Sequence, residues 1–170
     1  MVLTPTGLRV RGRRIPCTIG RGGVVALKRE GDGGTPVGIL RVTGMAHRAD
    51  RMAPPAPWSM PIGPRDLWCD DPGSPLYNRW TRASLDASAE RMRRADRLYD
   101  LVLLTDWNGS PPVPGRGSAI FLHRWRRPGF PTEGCIAMAP EDLRWVARRV
   151  RRGTRIVVPE AMALDGAPRS

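Results

Sequence analysis

Short apolar runs, each bounded by glycine, proline or arginine, dominate the first quarter of the chain. Leu8–Val10, Ile15–Ile19, Val24–Leu27 and Val37–Val42 have the length and β-branched content of strands. Between the last two lies Arg29-Glu30-Gly31-Asp32-Gly33-Gly34-Thr35-Pro36, a glycine-rich stretch that predicts a hairpin connection. It is not a phosphate-cradling loop, because neither a Lys-Ser/Thr pair nor a helix signal follows. Residues 44–80 then lose periodicity. Prolines at 54, 55, 57, 61, 64, 72 and 75, with Trp58, Trp68 and Trp80, predict a long ordered loop pinned by aromatic area. Loops of that length often cover functional sites.

Ser84 is a fair N-cap and predicts a helix to about Arg94. Leu98–Thr105 reads as a buried strand, Asp106–Gly117 as a Pro/Gly loop and Ser118–His123 as a further strand. Pro140 opens a second predicted helix, with Glu141 and Asp142 favouring its dipole and Gly153 able to end it. Its inner face is set by Leu143, Val146, Ala147 and Val150 at i, i+3, i+4 and i+7. Thr154–Val158 closes the sheet, and the tail from Pro159 is loose. The pattern is that of a mainly β, α+β domain with two short helices and no internal repeat.

A length of 170 residues suits one domain with its own core. Hydrophobic content of 41% with 26% charged residues is ordinary for a soluble globular protein. No run approaches the roughly 18 apolar residues of a membrane span. The opening Met-Val-Leu-Thr-Pro-Thr-Gly lacks the charged-apolar-small order of a secretory signal. As written the chain is expected in the cytoplasm; a trimmed N-terminus or misassigned start codon would make it periplasmic.

Charge changes the picture. The net charge is +12, and Lys28 is the one lysine, so arginine supplies all but one of the 28 basic residues. Such a chain attracts nucleic acid, anionic wall material or carboxylate-bearing peptides. The densest cluster, Arg144, Arg148, Arg149, Arg151, Arg152 and Arg155, falls mostly opposite the inner face of the second helix and reads as a solvated face. The tryptophans sit in proline loops and are not interleaved with arginines on one strand, so no nucleic-acid partner is expected.

Three cysteines are too few and too far apart for a disulfide framework or a zinc site, and no metal or cofactor is expected. Cys17 lies in the predicted strand Ile15–Ile19 and reads as core. Cys69 precedes Asp70 and Asp71, whose charge would raise its pKa and make it a poor nucleophile. His47 reads as surface or structural. Cys135 differs. Gly134 before it lets a substrate carbonyl approach the backbone, and nearby amides can donate to an oxyanion. Turn residues Pro131, Thr132 and Pro140 put the sulfur near the surface at an element end. His123, closing Ala119-Ile120-Phe121-Leu122, supplies an imidazole, and the thiol is expected to be ionised beside it.

These segments together resemble the L,D-transpeptidase catalytic domain, the YkuD-like family of peptidoglycan cross-linking enzymes, from about residue 20 to 158. The carriers are Gly31-Asp32-Gly33-Gly34-Thr35-Pro36-Val37-Gly38, Ile120-Phe121-Leu122-His123 and Pro131-Thr132-Glu133-Gly134-Cys135-Ile136-Ala137-Met138, with Asp142-Leu143 following. Eleven residues separate His123 from Cys135. Trp68-Cys69-Asp70-Asp71-Pro72, Tyr77-Asn78-Arg79 and Pro114-Gly115-Arg116-Gly117-Ser118 look like one bacterial subgroup. The resemblance implies a β-sandwich-like mixed fold in one catalytic domain over residues 1–158, with 159–170 as a C-terminal tail. It implies Cys135 as nucleophile, His123 as base, the main-chain carbonyl of Arg124 orienting the imidazole, and amides at Gly134 and Cys135 as oxyanion donors.

Two departures matter. Many members carry Ser/Thr-His-Gly-Cys where this chain has Thr132-Glu133-Gly134-Cys135, and many carry arginine where it has Ala137. A substitute cation for the substrate carboxylate is then needed, with Arg48, Arg51 and Arg124 as candidates. Glu133 is placed to repel a substrate anion or receive a substrate amine, and Thr132 stands beside it. The implied chemistry is attack on the L,D-amide of a peptidoglycan stem tetrapeptide, release of D-alanine and a thioester. An amine acceptor would make the chain an L,D-transpeptidase. Water would make it an L,D-carboxypeptidase acting on muropeptides. The reading from another class is a basic nucleic-acid-binding or wall-binding module without catalysis.

Overall fold

The computed structural model describes residues 1–160. In chain order its first strands are β1 (Val2–Thr4), β2 (Gly7–Val10), β3 (Arg13–Ile15), β4 (Cys17–Thr18), β5 (Val24–Val25), β6 (Thr35–Pro36), β7 (Gly38–His47) and β8 (Met60–Pro61). They are followed by β9 (Asp66–Cys69), β10 (Arg79–Arg82), β11 (Ala89–Arg91), β12 (Leu101–Thr105), β13 (Phe121–Arg124) and β14 (Ile136–Met138). Helix α1 (Pro140–Ala147) and β15 (Arg155–Val158) complete the chain. From residue 161 onward the predicted tail lies outside the described residues.

Ten strands form one sheet in the order β3-β2-β1-β15-β7-β12-β13-β14-β4, with β8 beside β7. Pro16 alone separates β3 from β4 in sequence. The two ends of the sheet are therefore chain neighbours, and the sheet curls until it is nearly closed. No helix among the described residues is long and apolar enough to cross a membrane.

The middle of the sheet separates two cores. All five residues of β12 are buried, as in a strand covered on both faces. Leu101 and Leu103 join Leu3, Leu8, Leu40, Val42 and Ile156 inside, together with Leu143 and Val146 of α1. Val102 and Leu104 point outward and join Ala46, Trp68, Phe121 and Cys135. That outer core is roofed by a small sheet in the order β10-β9-β11, from which Trp68 meets Phe121 edge-on with ring centroids 4.8 Å apart. The roof is partial. Along β7, exposed and buried residues alternate until Thr43, and everything from Gly44 to His47 is buried.

Several predicted elements fall differently. Residues 84–94 are not helical, so one helix stands among the described residues where two were expected. Ala83, Leu85, Ala87 and Ala89 alternate with Arg82, Ser84, Asp86 and Ser88, and burial alternates in step. That strand period outweighs the N-cap character of Ser84. Residues 44–80 are not one loop, since the end of β7, all of β8 and β9 and the start of β10 lie within them. Asp66-Leu67-Trp68-Cys69 is a proline-free run between the prolines, and it pairs on both sides. The glycine stretch 29–36 is no hairpin either, because it joins β5 to β6, which pair in parallel. The second predicted helix forms but ends at Ala147, before Gly153, with Arg148 as its C-cap.

Candidate active site

Strands β13 and β14 pair in parallel, with Leu122 level with Ile136 and His123 level with Ala137. Level residues of a parallel pair share a face, and side chains alternate along each strand. Leu122 and Ile136 enter the inner core, so Phe121, His123 and Cys135 all project outward. His123 and Cys135 both line one cavity of about 540 Å³ beneath the small sheet.

The sulfur is held from two sides. Its S–H donates to the Ala119 carbonyl at 3.1 Å, and the Phe121 amide donates to Sγ at 3.3 Å. Cys135 is 9% exposed, so the expectation of a sulfur near the surface is corrected: it forms the floor of the cavity. Burial pushes the thiol up to about 12, with the Phe121 amide pulling the other way and Glu90 adding to the rise. Burial also holds His123 down, to about 4. The expected ionised thiol is therefore replaced at neutral pH by a neutral thiol and a neutral imidazole.

The imidazole is oriented by two neighbours. Its Nδ1 lies 2.7 Å from the Arg124 carbonyl. A carbonyl only accepts, so Nδ1 carries the proton and Nε2 keeps the lone pair. The ring of Tyr99 stands edge-on at 5.3 Å, and its hydroxyl donates to Glu90 at 2.8 Å. Burial raises the pKa of Glu90.

The glycine-rich stretch acts as a buttress for the cysteine turn. Gly134 has φ of +135°, and a Cβ there would meet the Gly34 carbonyl at 2.8 Å. The Thr35 hydroxyl, fully buried, accepts from the Gly20 amide at 2.9 Å and donates to the Gly134 carbonyl at 2.8 Å. Thr132 closes the turn, donating to the Cys135 carbonyl at 2.6 Å and accepting from the Gly134 amide at 3.1 Å. The Gly134 amide expected at the oxyanion is thus engaged with Thr132.

The subgroup stretches converge on the same carbonyl. Asn78 accepts from the Trp68 indole at 3.0 Å and from the Ala119 amide at 3.1 Å. Its own amide group donates to the carbonyls of Trp107 and Asn108. Ala119 sits at φ +51°, an unusual value for a residue with a Cβ. Asn78 therefore anchors the residue whose carbonyl receives the thiol. Tyr77 and Ser118 both donate to Glu30 on the cavity wall.

The cations are not those expected. Arg48 pairs with Asp50 and Arg51 with Asp100, and neither lines the cavity. Arg124 contributes its carbonyl, while its side chain lines a separate groove. Lys28, Arg94 and Arg126 line the cavity instead. Lys28 pairs with Asp32, and Arg94 with Asp96 and Glu90. Arg126 makes no ion pair among the described residues and lies 5.7 Å over the Phe130 ring. Glu133 lines the rim and pairs with Arg21 at 2.8 Å. Sequence reasoning passed over Arg126, whose one local signal is its place three residues beyond His123. Glu90 reaches the site from β11 and Arg94 from the turn after it, a stretch that the expected helix concealed.

The other candidates lie elsewhere. Cys69 is fully buried in β9, and Cys17 is half-buried in β4 with its thiol pushed up to about 12 by burial. His47 is buried, with Nδ1 2.8 Å from the Ser59 hydroxyl, and is structural.

The chain matches the YkuD family, the L,D-transpeptidase catalytic domain, over residues 3–158, and it belongs to that family. No curated protein and no solved structure matches it. Membership makes peptidoglycan the substrate class.

Titration should follow burial. Alkylation of Cys135 by iodoacetamide, read on its own peptide, should climb about tenfold per pH unit between pH 6 and 9 without levelling; a plateau near pH 8.5 would contradict the buried neutral thiol. His123 titrates at about 4 folded against an ordinary 6.5, so the unfolded chain binds more protons between those values. Stability should therefore fall as pH drops from 6.5 to about 4. His123→Gln should shallow that slope, leaving the part due to His47, whose pKa is also lowered by burial. Thr35→Val, which keeps the shape and removes the hydroxyl, should lower stability by about 1–3 kcal/mol in denaturant unfolding. No change would show that the buttress does not depend on that hydroxyl.

Proposed function

We propose that the chain performs cysteine-dependent acyl transfer on peptidoglycan stem peptides, attacking the L,D-amide of a tetrapeptide and releasing D-alanine. The observation that carries this reading is the shared outward face of Cys135 and His123, both opening into one charged cavity in a chain of the YkuD family. The residues of the family's site are taken as Cys135 for the nucleophile and His123 for the base.

The neutral resting pair dictates the order of events. As Sγ attacks the scissile carbonyl carbon, its proton passes to His123 Nε2, so charge appears only when the new C–S bond offsets it. The Phe121 amide stays on the sulfur and favours the thiolate over the thiol. The Arg124 carbonyl, at Nδ1, stabilises the imidazolium. The tetrahedral oxyanion is assigned to the Cys135 amide, since that of Gly134 is engaged with Thr132. On collapse the C–N bond breaks, His123 returns its proton to the departing D-alanine amine, and a thioester remains. Arg126 is assigned to the substrate carboxylate in place of the family's arginine, where Ala137 stands.

Transfer to an amine would form a cross-link and transfer to water a trimmed peptide. Cross-linking is the primary reading, because Glu30 on the cavity wall, which has no ion-pair partner among the described residues, suits an incoming ammonium. Hydrolysis, an L,D-carboxypeptidase activity, shares every step up to the thioester.

Incubation with purified tetrapeptide, followed by mass spectrometry, separates these outcomes. Free D-alanine with a dimer supports the transpeptidase, and D-alanine with tripeptide alone assigns the hydrolase. Cys135→Ala should abolish both products and His123→Ala should reduce them by at least about a hundredfold. Arg126→Ala should lower kcat/KM by about tenfold or more. Full activity of the Cys135 or His123 variant would overturn the assignment.

A further inference from the structure

The outer face of the large sheet is covered only in part. Over β12 and β13 it carries the small sheet and the cavity. Over β3, β2, β1 and β15 no strand or helix packs on it, and at β7 Ile39 borders a shallow cavity shared with Trp107 and Val113 of the 106–116 segment. Register defines what that half presents. Arg14 is level with Arg9, Arg9 with Val2, Val2 with Val157 and Val157 with Ile39. At the far end Arg41 is level with Arg155.

Two features of this face call for a ligand. Arg9 with Arg14, and Arg41 with Arg155, are like charges set directly opposite on neighbouring strands, an arrangement that destabilises a sheet. All four are exposed. None takes part in any ion pair among the described residues, although seven other arginines do. From Arg9 the row continues as an aliphatic strip, Val2, Val157 and Ile39, which the Arg155–Arg41 pair flanks on the same two strands; Val2 is 41% and Ile39 48% exposed. The row of five strands spans about 19 Å, at roughly 4.8 Å per strand.

We propose that this face docks on an anionic lipid surface. Headgroup phosphates relieve both arginine pairs, and the aliphatic strip beside them enters the interface. A second copy of the chain fits poorly, because a self-complementary contact would bring arginine against arginine. A nucleic acid could meet the guanidinium groups, but the strip is aliphatic and the ring that borders it, Trp107, is already covered by the Arg116 guanidinium at 5.2 Å. The docked face lies on the same side of the sheet as the outer core that contains Cys135, since Arg41 and Ala46 both point outward from β7 across the register shift at Thr105. Docking is a binding property and stands whether or not Cys135 is the nucleophile.

The test is co-sedimentation with vesicles of phosphatidylglycerol mixed into phosphatidylcholine. The intact chain should bind them, bind pure phosphatidylcholine weakly and release in high salt. Arg9→Glu combined with Arg41→Glu should weaken binding by about tenfold or more. The same double variant turns two repulsive pairs into attractive ones, so its Tm should hold or rise by about 1–4 °C. Arg144→Glu combined with Arg148→Glu makes the same change in net charge on α1, and should leave vesicle binding within about twofold. An equal loss in that control would mean that net charge alone drives binding, and would overturn the proposal. Equal binding to phosphatidylcholine, or complete displacement by soluble polyphosphate at matched phosphate, would overturn it too. Cys135→Ala should bind vesicles as the intact chain does.

Discussion

Parallel pairing of β13 with β14 is the constraint on which the site depends. Side chains alternate along a strand, so a slip of one residue would turn Cys135 into the inner core and leave His123 facing the cavity alone. The register is held from several directions. The Phe121 amide donates to Sγ, the Ala119 carbonyl accepts a hydrogen bond from the S–H, and Thr35 ties the Gly134 carbonyl to the Gly20 amide. Gly134 is what allows the Gly31–Gly34 stretch to lie against the turn without a clash. The sequence motif and the cysteine are thus two sides of one contact.

Burial shapes the chemistry as much as geometry does. A thiol raised to about 12 and an imidazole lowered to about 4 do not exchange a proton at rest. On the proposed mechanism, reactivity belongs to the complex with substrate, where proton transfer and bond formation coincide. Such a sulfur is protected from adventitious alkylation and oxidation, which act on the thiolate. The charges that remain in the cavity are largely engaged with one another, and Arg126 is the exception among its cations.

The family and the stretches that line the cavity were more legible in the sequence than the architecture. Gly134-Cys135 and His123 are local signals, and the family likeness joined them across eleven intervening residues. Their partners were not legible. Asn78 and Glu90 come to the site by way of β10 and β11, which the prolines of residues 44–80 and the cap-like Ser84 disguised as a loop and a helix, and Arg126 follows β13 with no motif to mark it. The alternation of Ala83, Leu85, Ala87 and Ala89 was the available sign of extended chain. Arg48 and Arg51 have carboxylates of their own, Asp50 and Asp100, and lie away from the cavity. Tertiary pairing of that kind leaves no mark at short range in a chain so rich in arginine.

Covalent capture tests the central claim most directly. Intact-protein mass spectrometry after exposure to a carbapenem, a thiol-acylating β-lactam, should show one adduct, mapped by peptide digestion to Cys135 and absent from Cys135→Ala. An adduct on Cys17 or Cys69, or none at all on folded protein, would contradict the assignment of Cys135 as the nucleophile.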